Sequence, residues 1–314
     1  MCTSQTFTHV AALVLVFSTL ALCGPTGDVS AAPGGVKGPP IPMIAVDIAA
    51  DNSFTLPPTV TGGLVTFKVS TAVSGFHSIQ GFRVLPGHSV EEVIQDLELM
   101  LSGIPEQVGL GVQGLLDHAE MIGGVTPTPF GAISITIPLE PGLYYFLDIA
   151  DIGVRSPIVH TLGVVGQKRQ QSLPPLDATL AAEVEDDQSI FSGVPSTLPS
   201  DATFSFSNDT EDEIHEAVLR PTRTDFTVTD EYINAWYDFQ ADLRAGLPGV
   251  PPPNGTPWAG VQSGLSMLSP GRWAVVQINL PPGRYAFIDF VPSAVEPFFL
   301  PHGWNGMHVV VTLD

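Results

Sequence analysis

The stretch Pro141-Gly142-Leu143-Tyr144-Tyr145-Phe146-Leu147-Asp148 returns 141 positions later as Pro282-Gly283-Arg284-Tyr285-Ala286-Phe287-Ile288-Asp289. The match extends upstream, where residues 131–139 read against 272–280. An internal repeat of this length implies two copies of one folding unit. Each copy sends a Pro-Gly turn into an apolar strand that ends on an aspartate. A carboxylate in an apolar strand is costly unless it is paired. Asp148 and Asp289 are therefore the first candidates for a functional position.

A chain of 314 residues accommodates two domains of ordinary size. It is 44% hydrophobic, with 31 Gly and 30 Pro and no short period, which implies turn-rich all-β domains. Its 32 acidic residues outweigh 11 basic ones for a net charge of −21. Such a field repels nucleic acid and anionic lipid, so neither is expected as a partner.

Both cysteines, Cys2 and Cys23, lie near the N-terminus. Residues 11–23 form an apolar run too short to span a bilayer. Val29-Ser30-Ala31 supplies the small residues of a cleavage site, so residues 1–32 are expected to be an export signal. Leu20-Ala21-Leu22-Cys23-Gly24 also resembles a bacterial lipobox, with bulky Leu22 where a small residue is usual. A lipid anchor at Cys23 is thus the one membrane attachment expected. No Lys or Arg precedes the run, which leaves a non-signal segment as a third reading. The expected localisation is extracytoplasmic, secreted or at the cell surface.

Residues 33–40 read as a flexible tether, 41–166 as the first domain, 167–175 as a linker and 176–314 as the second domain. In the first domain, strand patterns at 43–48 and 64–69 precede His77. A helix follows, with Ser89 and Glu92 at capping-box spacing, Val90, Val93, Ile94, Leu97, Met100 and Leu101 on one face, and Gly103 at its end. Strands at 133–137 and 143–149 come next, then His160 in a loop before a strand at 162–165. The second domain repeats this order around His215. Its helix is capped by Thr229, carries a stripe of Tyr232, Trp236, Phe239 and Leu243, and ends at Gly246 and Pro248. The pattern predicts an all-β fold of two Greek-key β-sandwich domains, each with a helical insertion.

The polar residues attached to these strands are His77, Asp148 and His160 in the first copy, and His215, Asp289, His302 and Met307 in the second. With the Pro-Gly-x-Tyr strand and the His302-x4-Met307 loop, the chain resembles tandem cupredoxins of the plastocyanin and azurin type, over residues 41–166 and 176–314. The resemblance implies cupredoxin-like domains in which His215, Asp289, His302 and Met307 fall at the metal-ligand positions. His77, Asp148 and His160 match the first three, with Val164 where the methionine would be. The family's thiolate ligand falls at Asp148 and Asp289, and no cysteine follows Cys23. A type 1 blue copper centre needs that thiolate, so blue-copper electron transfer is excluded.

Two roles for the aspartates stay open. Two imidazoles and a carboxylate suit Cu(II) or Zn(II) in a type 2-like site. The same groups can also hold one another by charge-assisted hydrogen bonds without metal. Trp236, Trp258, Trp273 and Trp304 all fall in the second copy and suit either core packing or an aromatic cleft. His9, His88, His118 and His308 form no constellation, and there is no phosphate loop, nucleophile elbow or HExxH. The chain is therefore expected to be a non-catalytic binding or structural protein with no cofactor, and its partner an unspecified protein or small ligand. The alternative is an extracytoplasmic copper-binding protein using His215, Asp289 and His302.

Overall fold

The computed structural model describes residues 39–166, 171–294 and 300–314. The expected signal, the lipobox cysteine and part of the linker lie outside these residues. The first half contains β1 (Met43–Ile48), β2 (Thr59–Thr61), β3 (Gly63–Thr71), β4 (Ile79–Val84), β5 (Ala119–Thr126), β6 (Ile133–Leu139), β7 (Gly142–Asp148) and β8 (His160–Val165). Helices α1 (Val90–Met100) and α2 (Pro105–His118) are inserted between β4 and β5. The second half contains β9 (Ala178–Glu185), β10 (Gln188–Ser192), β11 (Thr197–Leu198), β12 (Thr203–Asn208) and β13 (His215–Pro221). It continues with α3 (Asp230–Arg244), β14 (Ser263–Leu268), β15 (Trp273–Gln277), β16 (Gly283–Ile288) and β17 (His308–Leu313).

These strands make a β-sandwich of two mixed sheets. One has seven strands in the order β1-β3-β6-β15-β12-β9-β10, the other ten in the order β11-β17-β16-β13-β14-β5-β4-β7-β8-β2. The neighbours match between halves: β1 lies parallel to β3 as β9 does to β12, and β2 parallel to β8 as β11 does to β17.

Both sheets run through from one half to the other, by β6–β15 in the first and β5–β14 in the second. In the first junction Ile135 opposes Val276, Thr136 opposes Val275 and Ser134 opposes Gln277. Residues 141 apart thus exchange places about the Ile135–Val276 pair, the self-complementary register of a twofold contact. Residues from Gly38 to Asp314 consequently form one compact unit. Gln171, within the expected linker, is tied to the first half, its Oε1 accepting from Leu64 N at 2.7 Å.

Alternation builds the core. Ile44, Val46 and Ile48 of β1 point inward while their neighbours face out. Phe67, Phe146 and Ile135 from the first half join Phe204, Phe206, Phe287 and Val276 from the second in one buried cluster. The repeated tyrosines also have a local role. Tyr144 Oη donates to Glu140 O at 3.0 Å, and Tyr285 Oη to Pro281 O at 2.9 Å. Each phenol closes back over its own Pro-Gly turn, which fixes where the aspartate-bearing strand begins.

Helix α1 starts with the expected capping box at Ser89 and Glu92. Helix α2 is additional to the helices the sequence predicts. Gly109, Gly111 and Gly114 weaken its helical signature, yet two of these glycines let it press against α1. A Cβ at Gly111 would fall 2.3 Å from Met100 N, and one at Gly114 2.2 Å from Asp96 Oδ1. Together α1 and α2 bury Val93, Leu97, Val112 and Leu115 against Phe82, Met121 and Leu147 on the outer face of the ten-stranded sheet.

Helix α3 covers the matching outer face of the second half, where its stripe differs from the expected one. Ile233 and Tyr237 are buried against Ala286 and Ile288, while Leu243 is 50% exposed. A helix face is about 100° wide, and here it is centred one position further on. That leaves Tyr232, Trp236 and Phe239 half-buried at the rim. Among the described residues no helix is long and apolar enough to cross a membrane.

Candidate functional site

Asp148 is the last residue of β7 and pairs with Ile79 of β4. His77, two residues before Ile79, falls on the same face by the period of two along a strand. His77 Nδ1 lies 2.7 Å from Asp148 Oδ2, and both side chains are buried. The other oxygen, Oδ1, accepts from Ser78 N at 2.9 Å and Ala150 N at 3.0 Å. His160 does not join them. It opens β8, its ring packs on Phe54 with centroids 4.0 Å apart, and its Nε2 is buried without a partner among the described residues. Burial lowers its pKa, which keeps it neutral.

The second half elaborates the same pair. His215 opens β13, and Asp289 directly follows β16. His215 Nδ1 approaches Asp289 Oδ2 at 2.6 Å, and His302 Nδ1 approaches the same oxygen at 3.2 Å. Asp289 Oδ1 accepts from Val291 N at 2.8 Å. His302 arrives on a single 3-10 turn, His302–Asn305. That turn docks through Gly303, whose N–H donates to Asp289 O at 2.7 Å. A side chain at Gly303 would meet Ile288 Cγ2 at 2.7 Å and Asp289 O at 2.8 Å, so only glycine permits the approach. In the first half the corresponding histidine already lies in a strand.

On their far sides both imidazoles meet Glu213. His302 Nε2 lies 3.1 Å from Glu213 Oε1. His215 Nε2 lies 3.5 Å from Oε2, an ion-pair contact too poorly aligned to count as a hydrogen bond. Glu213 also accepts from Ser189 Oγ, and from Ser293 Oγ at 3.2 Å. Glu213 borders a cleft of about 500 Å³ that it lines with Arg83, Glu120 and Asp212. Glu216 stands beside the cluster and accepts from Phe290 N at 3.1 Å. Sequence reasoning passed over both glutamates. The signal available was their position around His215 in the acidic run from Asp209 to Glu216.

The electrostatics follow from this packing. Burial alone would lower the pKa of His302, but hydrogen bonding and charge from Asp289, then from Glu213, outweigh it and raise the value to about 9. For His215, burial again opposes charging, and the hydrogen bond to Asp289 with the ion-pair contact to Glu213 overrides it to give a raised pKa. Burial pushes Asp289 and Glu213 upward, yet their histidine partners hold both below the ordinary carboxylate range. Glu216 goes the other way. Burial, then the negative charge of Asp289, raises it to about 8. At neutral pH the His302 imidazolium therefore faces the Asp289 and Glu213 carboxylates, with Glu216 protonated.

Met307 is wholly buried in the sandwich core, and its backbone N–H donates to His302 O at 3.0 Å. His215, Asp289 and His302 present ligand atoms within 4.8 Å of one another. The donor types, two nitrogens and one oxygen, suit Cu(II) or Zn(II) and lack the thiolate of a type 1 centre. Two donors on one tetrahedral ion at about 2.0–2.1 Å stand about 3.4 Å apart. The 3.2 Å separation of His302 from Asp289 suits that arrangement. The 2.6 Å contact of His215 is a hydrogen-bond distance, so His215 would have to withdraw by about 0.8 Å to share an ion.

No protein-family model matches the chain, and no curated protein matches it. Among solved structures, the chain is similar to auracyanin B at 20% identity and a TM-score of 0.24, over 46% of this chain and 93% of that one. It is similar to a multicopper oxidase at 11% identity and a TM-score of 0.23, over 87% of this chain and 88% of the other. A blue copper oxidase from Nitrosomonas europaea is 12% identical with a TM-score of 0.22, over 88% and 86%. The expectation that the chain is not an enzyme is corrected at this point. Two of the solved structures it is similar to over most of its length are oxidases.

Proposed function

We propose that this chain is an exported binding protein, built on a duplicated cupredoxin-like sandwich, in which a metal-free ionic cluster stands at the family's copper position. One observation carries the reading: a single carboxylate oxygen of Asp289 meets His215 at 2.6 Å and His302 at 3.2 Å. The 2.7 Å pairing of His77 with Asp148 in the other half supports it. In both places the aspartate and a histidine satisfy each other directly, and the cluster pins the loop after β16 to the sheet. The matched strand orders support duplication, and the N-terminal apolar run supports export. The partner in this reading is a small ligand or another protein, and the acidic surface disfavours nucleic acid.

A second reading is favoured by the three ligand atoms gathered within 4.8 Å. In it His215, Asp289 and His302 hold Cu(II) at a type 2-like site, His215 turning away from its hydrogen bond to do so. Copper there would supply a site for one-electron chemistry or simple carriage. Metal analysis and EPR of protein produced with copper present separate the two. The first reading expects substoichiometric copper and no Cu(II) signal. One copper per chain that disappears in the His215→Ala, His302→Ala double variant would establish the second instead.

A further inference from the structure

Asp289 Oδ2 meets both imidazoles of the cluster on their Nδ1 side. An ionised carboxylate only accepts, so each Nδ1 carries a hydrogen there and each Nε2 faces away from Asp289. Both Nε2 atoms face one group, Glu213. His302 Nε2 stands 3.1 Å from Oε1, and His215 Nε2 stands 3.5 Å from Oε2. His215 is wholly buried, and its Nε2 has no hydrogen-bond partner among the described residues. A buried nitrogen aimed at a carboxylate that it does not hydrogen-bond needs some group to satisfy it.

Glu213 is held in place for such a role. Its backbone oxygen accepts from Asn208 Nδ2 at 2.7 Å, and its carboxylate accepts from Ser189 Oγ and from Ser293 Oγ. Its side chain is 21% exposed, whereas those of His215 and His302 are almost wholly enclosed. The exposed part borders the cleft of about 500 Å³, whose lining carries the carboxylates of Glu120, Glu211, Asp212 and Glu213 against one arginine, Arg83. A lining of that sign gathers cations, and Glu213 is where it meets the buried imidazoles.

We infer that His215 Nε2, His302 Nε2 and the Glu213 carboxylate form a site for Zn(II), with Asp289 behind the rings as the positioning carboxylate. Donors on a tetrahedral ion stand about 3.4 Å apart, and adjacent donors on a square-planar one about 2.9 Å. The separations of 3.1 and 3.5 Å lie nearer the tetrahedral value, which favours Zn(II) over Cu(II). Asp289 supplies the carboxylate that a metal-bound imidazole commonly needs on its other nitrogen to fix ring and tautomer. The ion stands across the rings from Asp289, so the inference rests on the direct aspartate–histidine contacts of the first reading above and leaves them in place. It gives that binding function a ligand. The first half has no equivalent: Gly75 stands two residues before His77, where Glu213 stands before His215, and His160 lies apart from the pair. One zinc per chain follows.

The test uses the full chain stripped with a chelator, with Zn(II) alone as the probe. Calorimetry should show saturable binding of one zinc per chain. Long-range proton–nitrogen correlation spectra should show the Nε2 signals of His215 and His302 shifted by zinc, with both Nδ1 atoms still protonated. Glu213→Gln should weaken binding by about tenfold or more. Asp212→Asn, on the same cleft, should bind nearly as the parent does. The nitrogen spectra of the parent decide the matter if the Glu213 variant does not fold. Absence of saturable zinc binding overturns the site and leaves the contacts of the first reading standing. Coordination through Nδ1 overturns it as well and places the ion at Asp289. Equal weakening in Glu213→Gln and Asp212→Asn would mean capture by the acidic surface, which also overturns the site.

Discussion

Asp289 Oδ2 lies 2.6 Å from His215 Nδ1, and neither side chain reaches solvent. Two groups that would each be expensive to bury charged are affordable together because each supplies the other's counter-ion and hydrogen bond. The pair ties the start of β13 to the end of β16, and through His302 it also ties down the turn that leads into β17.

Removing one side of this arrangement should be severe. Asp289→Asn leaves two buried imidazoles without their carboxylate, and a loss of about 3–5 kcal/mol in unfolding free energy is expected. Asp148→Asn disrupts a single histidine pair and should cost less. Urea titration of the two variants against the parent measures both. Equal losses would show that His302 adds nothing to the second cluster.

Stability should fall on the alkaline side. His302 has a folded pKa raised to about 9, so its contribution is complete below its unfolded value of 6.5 and is lost as pH rises through about 9. A shift of this size corresponds to about 3 kcal/mol, shared among the partners in the cluster. Glu216, raised to about 8, adds a decline in the same direction from about pH 4.5 upward. Asp289 and Glu213 are lowered, so their contribution is present above their unfolded values and is lost as pH falls through the folded ones. The melting temperature should therefore peak at about pH 4.5–5 and drop toward pH 9. A flat profile between pH 6 and 9 in calorimetry would refute the raised His302 value.

The packing of α2 on α1 gives a separate test. Gly114→Ala would place a methyl group 2.2 Å from Asp96 Oδ1, so the carboxylate must move and disturb the 2.7 Å contact of its Oδ2 with His118 Nδ1. Gly111→Ala would meet backbone at 2.3 Å, which cannot rotate away. Each change should cost about 1–3 kcal/mol despite the better helix propensity of alanine, with Gly111→Ala the worse. Thermal melts that show either variant stabilised would contradict the close approach.

Tyr237→Phe should raise the stability of the chain by about 1 kcal/mol, because it removes a buried hydroxyl that has no acceptor among the described residues. Differential scanning calorimetry without added anions checks this. A large destabilisation would mean the hydroxyl has a partner in solution.

The two halves differ in how legible their sites were. The pairing of His77 with Asp148 and of His215 with Asp289 could be anticipated from the repeat, because a strand ending in a carboxylate needs a partner and each copy places a histidine upstream. The divergence of His160 from His302 could not. It depends on whether the chain before the last strand is already extended, as at His160, or turns through Gly303 onto Asp289. Glu213 and Glu216 were obscured because an acidic run normally reads as solvated surface, and only the fold shows that two of its members approach the histidines. Helix α2 was hidden by its glycines, which weaken a helix in isolation and pay off only against α1.

The sequence by itself determined the sandwich class, the correspondence between the two copies, the aspartates at the ends of matched strands and the absence of a type 1 thiolate. These follow from local periodicity and residue chemistry, which need no knowledge of distant contacts. Only the tertiary structure decided that both sheets run unbroken through the two halves, that Asp289 serves two histidines while Asp148 serves one, and that Arg220 stands against Trp258 without an acceptor among the described residues. Each of these is a contact between residues far apart in sequence, set by strand register and helix placement, and a linear pattern does not encode them.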